Sequence, residues 1–385
     1  MRIEGKSEGL APTRTMSYKV DWLAFTVSVD KDNYKKTIKK ILDSWGYDLD
    51  LFEEIPGRYF YNSGLTIDYY FNIFFNNPSK KISKSSSSTV NFQLTGNGCT
   101  DMGYHLEDVL DSKDDEANWI YLFKWLQKMG CKITRVDLAL DDFKGECNFD
   151  VMIKHLKSGY YRSTKKTYSI SRGADQKQRS KGLTIYIGKM PRGGSGSKGS
   201  YYARFYKKLD EFYEKNQLPP SIARETGVWD RYKISFSKQK ARDIVSEIIN
   251  ANSLGKIYLG VLRGLVEFLN PTKNKNGNLY KNKDNWRVCP WWERFLSRCE
   301  KVQIGSDAPR DVSLSELLKW VRVSVLPNLR LLEQIGLENG FDIYHVIKQC
   351  DVKFAKKQKR LLKDSRSLPP KILDLYLEQF KEGYK

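Results

Sequence analysis

Three short segments hold the residue types that could do chemistry in this chain. The first is ITRVDLALDDF. On a β-strand, Asp137, Ala139 and Asp141 point to one face, while Val136, Leu138 and Leu140 point to the other, toward a core. Two carboxylates on one face repel unless a cation or a basic group lies between them, and hard oxygen donors suit Mg²⁺ or Mn²⁺. The plainer reading is a strand with a solvated outer face, its Asp141-Asp142 pair opening a turn. The second segment is YYARFYKKLDE, where Tyr202, Arg204 and Tyr206 share a face as a strand. A phenol with a pKa near 10 is a weak nucleophile unaided. Arg204, Lys207 and Lys208 could favour its phenolate and neutralise a phosphate under attack. Such an attack joins the tyrosine to phosphate and frees a 3′-OH. Against this, any one of 23 tyrosines ordinarily packs in the core or on the surface. The third is VWDRYKISF, a buried strand by its alternation, with Arg231 and Lys233 in a basic row that either contacts phosphate or is simply exposed.

Other chemistries are excluded by what is missing. The three histidines, His105, His155 and His345, are far apart, so no His-hydrophobic-His metal motif exists. Neither G-x-S-x-G nor a phosphate-binding G-x-x-x-x-G-K-[ST] occurs, and the glycines and Lys198 of PRGGSGSKGS have the wrong spacing for the latter. The six cysteines form no C-x-x-C pair, which argues against a zinc site or a disulfide framework and for a reducing cytoplasm. No run approaches the roughly 18 to 20 apolar residues that span a bilayer, and the N-terminus lacks a signal-type apolar run. Lys and Arg total 66 against 46 acidic residues, a net charge of +20 that favours polyanions, nucleic acid foremost.

The elements that must position these residues follow from periodicity. YKVDWLAFTVSV reads as a strand and DNYKKTIKKILDSW as a helix. RYFYNSGLTIDYYFNIFFNN is rich in strand formers, with a turn expected at Asn62-Ser63-Gly64. TVNFQLTGNGCTDM reads as a strand running into a glycine turn. NWIYLFKWLQKMG is a helix stopped by Gly130, and NFDVMIKHLKSG a helix capped by Asn148. A basic stretch over 160–181, with Lys165, Lys166 and Arg172, is a candidate DNA-contact surface. GLTIYIGK is a strand. YYARFYKKLDEFYEKN and VWDRYKISFSKQKARDIVSEIIN each run from strand to helix. Beyond 250 the strands fade, and LGKIYLGVLRGLVEFL and the later segments are helical by spacing. The reading is an α+β fold: a largely antiparallel sheet with helices, then a mainly helical C-terminal part. It divides into an arm over 1–17, a catalytic and DNA-binding domain over 18–251, and a helical region over 252–385.

Taken in order, VDWLAFTV, LTGNGC, ITRVDLALDDF, LTIYIG with ARFYKKLDE, VWDRYKISF and LLKWVRVSVLPNLRLL resemble the replication initiation factor family, over about residues 18 to 340. That family contains plasmid rolling-circle initiators and relaxases of integrative conjugative elements. The resemblance implies a metal-dependent DNA nickase. Tyr206 would be its nucleophile, Asp137 and Asp141 would hold Mg²⁺ or Mn²⁺, and Arg204, Lys208 and Arg231 would contact phosphate, with Lys233 and Lys207 beside them on the DNA. It also implies origin DNA and a host replicative helicase as partners, a possible homodimer, and no membrane. Two residues depart from the pattern. Lys207 stands where the family often has Asp, and Lys233 stands where its strand has a Glu expected to help bind the metal. Three readings follow from Lys233: another acid such as Asp142, Asp230 or Glu225 completes the ligand set, the chain is a natural variant with weak or no nicking that binds the origin and recruits a helicase or other replication factor, or an inactivating substitution has been introduced.

Overall fold

A computed structural model describes residues 16–29, 33–80, 88–174, 176, 180–189, 201–214, 219–300, 314, 317–318, 321–354, 356–366 and 370–382. The Gly/Ser loop carrying Lys198 lies outside them, as does the arm as far as residue 15. The chain forms two compact units, Met1–Lys215 with Pro219–Pro309, and Asn216–Leu218 with Arg310–Lys385.

The first unit carries thirteen described strands: β1 (Met16–Ser28), β2 (Glu53–Pro56), β3 (Ser63–Ile67), β4 (Phe71–Phe75), β5 (Thr89–Leu94), β6 (Lys132–Asp142), β7 (Tyr161–Ser163), β8 (Tyr168–Ala174), β9 (Ser180–Ile187), β10 (Tyr201–Lys207), β11 (Asp230–Ser237), β12 (Val266–Asn270) and β13 (Arg287–Val288). Its helices include α1 (Tyr34–Ser44), α2 (Gly96–Leu110), α3 (Asp115–Lys128), α4 (Phe149–Lys157), α5 (Lys208–Glu214), α6 (Ser221–Thr226), α7 (Gln239–Ala251), α8 (Leu254–Leu265) and α9 (Pro290–Glu300). Ten strands make one sheet in the order β2-β3-β4-β5-β1-β6-β11-β10-β9-β8, every neighbouring pair antiparallel; β13-β12-β7 make a small second sheet. This is the expected α+β arrangement.

The centre of the large sheet, β1-β6-β11-β10, buries one face completely. Val136, Leu138 and Leu140 of β6, with Tyr232 and Ile234 of β11, are 0% exposed, and full burial of each aliphatic side chain contributes about 1.5–3 kcal/mol. Helix α8 closes this face. Its Tyr258 hydroxyl donates to the Tyr232 carbonyl at 2.6 Å, and its ring meets that of Tyr18 edge-on.

Four local expectations need correction. Ser63 and Gly64 lie inside β3, and the hairpin turn is at Asp68-Tyr69, both left-handed (φ 46° and 56°), with Thr66 Oγ1 accepting from the Tyr69 N–H. LTGNGC is not a turn between strands: β5 ends at Leu94 and α2 starts at Gly96. The end of LGKIYLGVLRGLVEFL leaves the helix at Leu265 and becomes β12, which pairs with β7. The helical stretch expected as one region from 252 is therefore shared: α8 and α9 belong to the first unit, and Leu326–Asn339, Ile343–Gln349, Lys356–Ser365 and Pro370–Glu382 form helices of the second. Asn148 caps α4 as expected, accepting from the Asp150 and Val151 N–H groups. Among the described residues no helix is long and apolar enough to cross a membrane.

Candidate active site

The face of the central strands opposite the core is organised in rows, because antiparallel register places residues side by side across four strands. One row runs Tyr206, Arg231, Asp141, Ser17; the next runs Arg204, Lys233, Ala139, Lys19; a third runs Tyr202, Ser235, Asp137, Trp22. Tyr206 and Asp141 are thus two strands apart, about 10 Å between Cα atoms at the usual strand spacing. The tyrosine and the aspartates do share one surface.

That surface is not solvated. Asp137, Asp141, Arg231 and Lys233 are all buried, so the reading of β6 as a strand with a wet outer face fails. What keeps four charged side chains there is a chain of ion pairs in which the signs alternate. Arg135 donates to both oxygens of Asp137, at 2.9 and 2.7 Å. The Lys233 ammonium lies 2.8 Å from Asp137 Oδ2 and 2.6 Å from Asp21 Oδ2. Arg231 reaches Asp21 Oδ1 through Nη1 at 2.8 Å and grips Asp141 through Nε and Nη2 at 2.5 and 2.8 Å. Lys19 stands 3.5 Å from Asp141 Oδ2. Burial by itself would push the Asp21 and Asp141 carboxyls up; Arg231, with Lys233 and Lys19 at Asp21 and Lys19 at Asp141, outweighs it and holds both below the ordinary carboxylate value.

Asp21, Lys19 and Arg135 are the site residues that motif reasoning missed. Asp21 sits at a β-bulge, where the register with β6 shifts between Val20 and Trp22, and a bulge re-aims a side chain. Its visible signal is the one carboxylate of β1, set between Val20 and Trp22. The bulge also explains LTGNGC. A Cβ on Gly96 would lie 3.0 Å from Asp21 Oδ1, and one on Gly98 would overlap the Tyr70 carbonyl. Glycine lets the start of α2 press against both.

Tyr206 is 8% exposed. Burial pushes its phenol up, and the nearby Arg231 and Arg204 cations pull it part of the way back. The Arg204 guanidinium lies 5.1 Å and the Lys208 ammonium 5.9 Å from the ring centre. Lys208 donates to Glu211 at 2.7 Å; burial, then Arg231, lower its pKa to about 8.

The expected divalent ion does not fit these residues. Asp137 and Asp141 are four residues apart on one strand, about 13 Å at roughly 3.3 Å per residue. Ligands of one Mg²⁺ lie only about 2.0–2.1 Å from it, so the two carboxylates cannot both bind it directly. All six oxygens of Asp21, Asp137 and Asp141 already face cationic partners. Among the described residues no group of three or more His, Cys, Asp or Glu side chains could hold a metal ion. The alternative acids do not complete a set. Asp142 points away and accepts the Lys144, Gly145 and Glu146 N–H groups, Asp230 pairs across from it, and Glu225 is exposed on α6.

The expected DNA contacts separate into two groups. Arg231 and Lys233 have buried, ion-paired head groups. Lys207, Lys166 and Arg172 are exposed, Arg172 reaching Asp150 at 2.5 Å; Lys165 lies 3.2 Å over the Tyr201 ring.

Residues 131–367 match the replication initiation factor family, and the chain belongs to it. A Bacillus subtilis (strain 168) protein that bears the name DNA relaxase NicK is 22% identical over 312 residues, which cover 80% of each chain. The solved rolling circle replication initiator protein of Geobacillus stearothermophilus shares the fold, with a TM-score of 0.58 and 22% identity over 75% of this chain and 98% of that one.

Proposed function

We propose that this chain nicks one DNA strand at a replication or transfer origin and stays joined to the 5′ end through Tyr206. The observation that carries the reading is the row Tyr206, Arg231, Asp141, which sets the phenol beside a guanidinium that its carboxylate partners fix in place. The chemistry is a transesterification. The Tyr206 oxygen forms a bond to phosphorus, the bond from phosphorus to the 3′ oxygen breaks, and that oxygen takes a proton to become a 3′-OH. The phenol must first lose its own proton. Lys208 is the candidate acceptor, since a pKa of about 8 leaves about a tenth of it neutral at pH 7. Arg204 stabilises the charge that builds on the phosphoryl oxygens, and Arg231, its nitrogens held by Asp21 and Asp141, contributes only its fixed positive charge beside the phenol. No step is routed through Mg²⁺ or Mn²⁺. Lys207, Lys165, Lys166 and Arg172 serve as contacts to flanking DNA, and the work is done in the cytoplasm on an origin that a host helicase then unwinds.

The test uses supercoiled plasmids carrying segments of the DNA around the gene. The wild-type chain yields open circles with a protein-blocked 5′ end and an extendable 3′ end. Tyr206→Phe binds the same plasmid and yields none. Cleavage by Tyr206→Phe overturns the assignment.

A further inference from the structure

We infer that the acidic cluster beside the tyrosine row excludes divalent metal, and that the Lys233 ammonium is the permanent cation of this site. The ammonium bridges Asp21 and Asp137 at 2.6 and 2.8 Å, the position from which a metal would cross-link the same two carboxylates. Its side chain is only 4% exposed, and swinging it out would strip the cation that Asp21 and Asp137 share inside the protein. Counting Asp21, Asp137 and Asp141 against Lys19, Arg135, Arg231 and Lys233, three negative charges meet four positive ones, a net +1. Adding a divalent ion would raise this cluster, whose three carboxylates are buried, to +3 while breaking charge-assisted bonds to each ligand, a cost that the six already satisfied oxygens cannot offset. The same excess positive charge stays beside Arg204 and Tyr206, which share the face in adjoining rows, where an incoming phosphodiester needs it. If the nicking reading holds, strand transfer by this chain proceeds in the presence of a chelator; the metal-exclusion half of the inference does not depend on nicking.

The direct test is Mn²⁺ titration of the full chain followed by electron paramagnetic resonance, where bound Mn²⁺ loses its six-line signal. Wild type shows no Mn²⁺ site that Asp137→Asn removes. Lys233→Glu places a third carboxylate between Asp21 and Asp137, gains one Mn²⁺ per chain, and binds it at least about tenfold more tightly than wild type; adding Asp137→Asn abolishes the gain. Lys233→Met, which removes the ammonium without adding charge, gives the same direction as a rise in Tm on adding Mn²⁺ that wild type lacks, and covers the case in which Lys233→Glu does not fold. One Mn²⁺ bound per wild-type chain and lost in Asp137→Asn overturns the inference, whether or not the chain cuts DNA. A wild-type chain that shows no such site and yet cuts no plasmid, with or without EDTA, supports the exclusion and fails the nicking reading instead.

Discussion

Tyr206 stands opposite Arg231 in the ladder between β10 and β11, and the same guanidinium holds Asp141 with two nitrogens and Asp21 with a third. The cation whose charge bears most on the phenol is therefore a rigid part of the sheet. Its planar fork lets one side chain hold both oxygens of Asp141 and reach Asp21 as well, a bidentate grip that an ammonium cannot reproduce.

Arg231→Lys should leave at least one of Asp21 and Asp141 without its partner inside the protein. Breaking a buried pair from one side typically costs about 3–5 kcal/mol. Urea unfolding should show a loss of that size with an unchanged slope. A loss under about 1 kcal/mol would mean that water reaches these carboxylates and that the network is not the dry structure described.

Lys208 makes a pH prediction. Its pKa is lowered to about 8, burial being the main cause and Arg231 the second. As the base that takes the phenolic proton it must be neutral, so single-turnover adduct formation should rise with pH and level off above about 8. Lys208→Arg keeps a cation there that never deprotonates in this range. That variant should be slow at every pH and lack the inflection. An unchanged profile would remove Lys208 from proton transfer.

Much of this was legible in the alternation of β6, β10 and β11. Period-two spacing alone puts Asp137 and Asp141 on one face and Tyr206 with Arg204 on another strand's face, and the register then aligns those faces. What spacing could not show is the neighbour of each strand. Asp21 is about 120 residues from Asp141 in sequence and meets it only through Arg231, because β1 lies beside β6 and β11 on β6's other edge. Sharing a face was also mistaken for being close: four residues of extended chain is too long a reach for one ion. Helix α2 was missed because Gly96, Gly98 and Gly103 depress helix propensity, and the reason for the first two is tertiary: the carboxylate of Asp21 and the carbonyl of Tyr70 need the room.

That tertiary reason is testable. Gly98→Ala drives a methyl group into the Tyr70 carbonyl, a backbone atom that cannot rotate away. Overpacking of this kind costs typically about 1–3 kcal/mol, against a propensity gain below about 1 kcal/mol. Gly96→Ala meets instead the carboxylate of Asp21 at 3.0 Å, which can shift only by stretching its bonds to Arg231 and Lys233. Thermal melts should show both variants destabilised. For Gly96→Ala, adduct formation should fall as well, since the Arg231 that flanks Tyr206 moves with its partner. A more stable Gly98→Ala would show that α2 does not start where it is placed.

On the opposite side of the same strands, Asp230 and Asp142 face each other across β11 and β6. Burial, then the Asp142 charge, raise the Asp230 carboxyl to about 7; Asp142 is itself raised, burial outweighing its three backbone hydrogen bonds. The folded state therefore keeps a proton that the unfolded chain, with its carboxyl near the ordinary value of about 3.9, gives up. Stability from this group is complete below about pH 4, declines as pH climbs to about 7, and is flat above. The two acids titrate as a pair, so the loss belongs to both. Asp230→Asn keeps the shape, cannot ionise, and lets Asp142 stand alone as the one anion. It should raise stability at pH 8 by about 2–4 kcal/mol and leave it nearly unchanged at pH 4. Urea midpoints measured from pH 4.5 to 8.5 decide it. Parallel curves for wild type and Asp230→Asn would mean that Lys207, the exposed cation next to Asp230, compensates the charge fully and that the pair holds no proton.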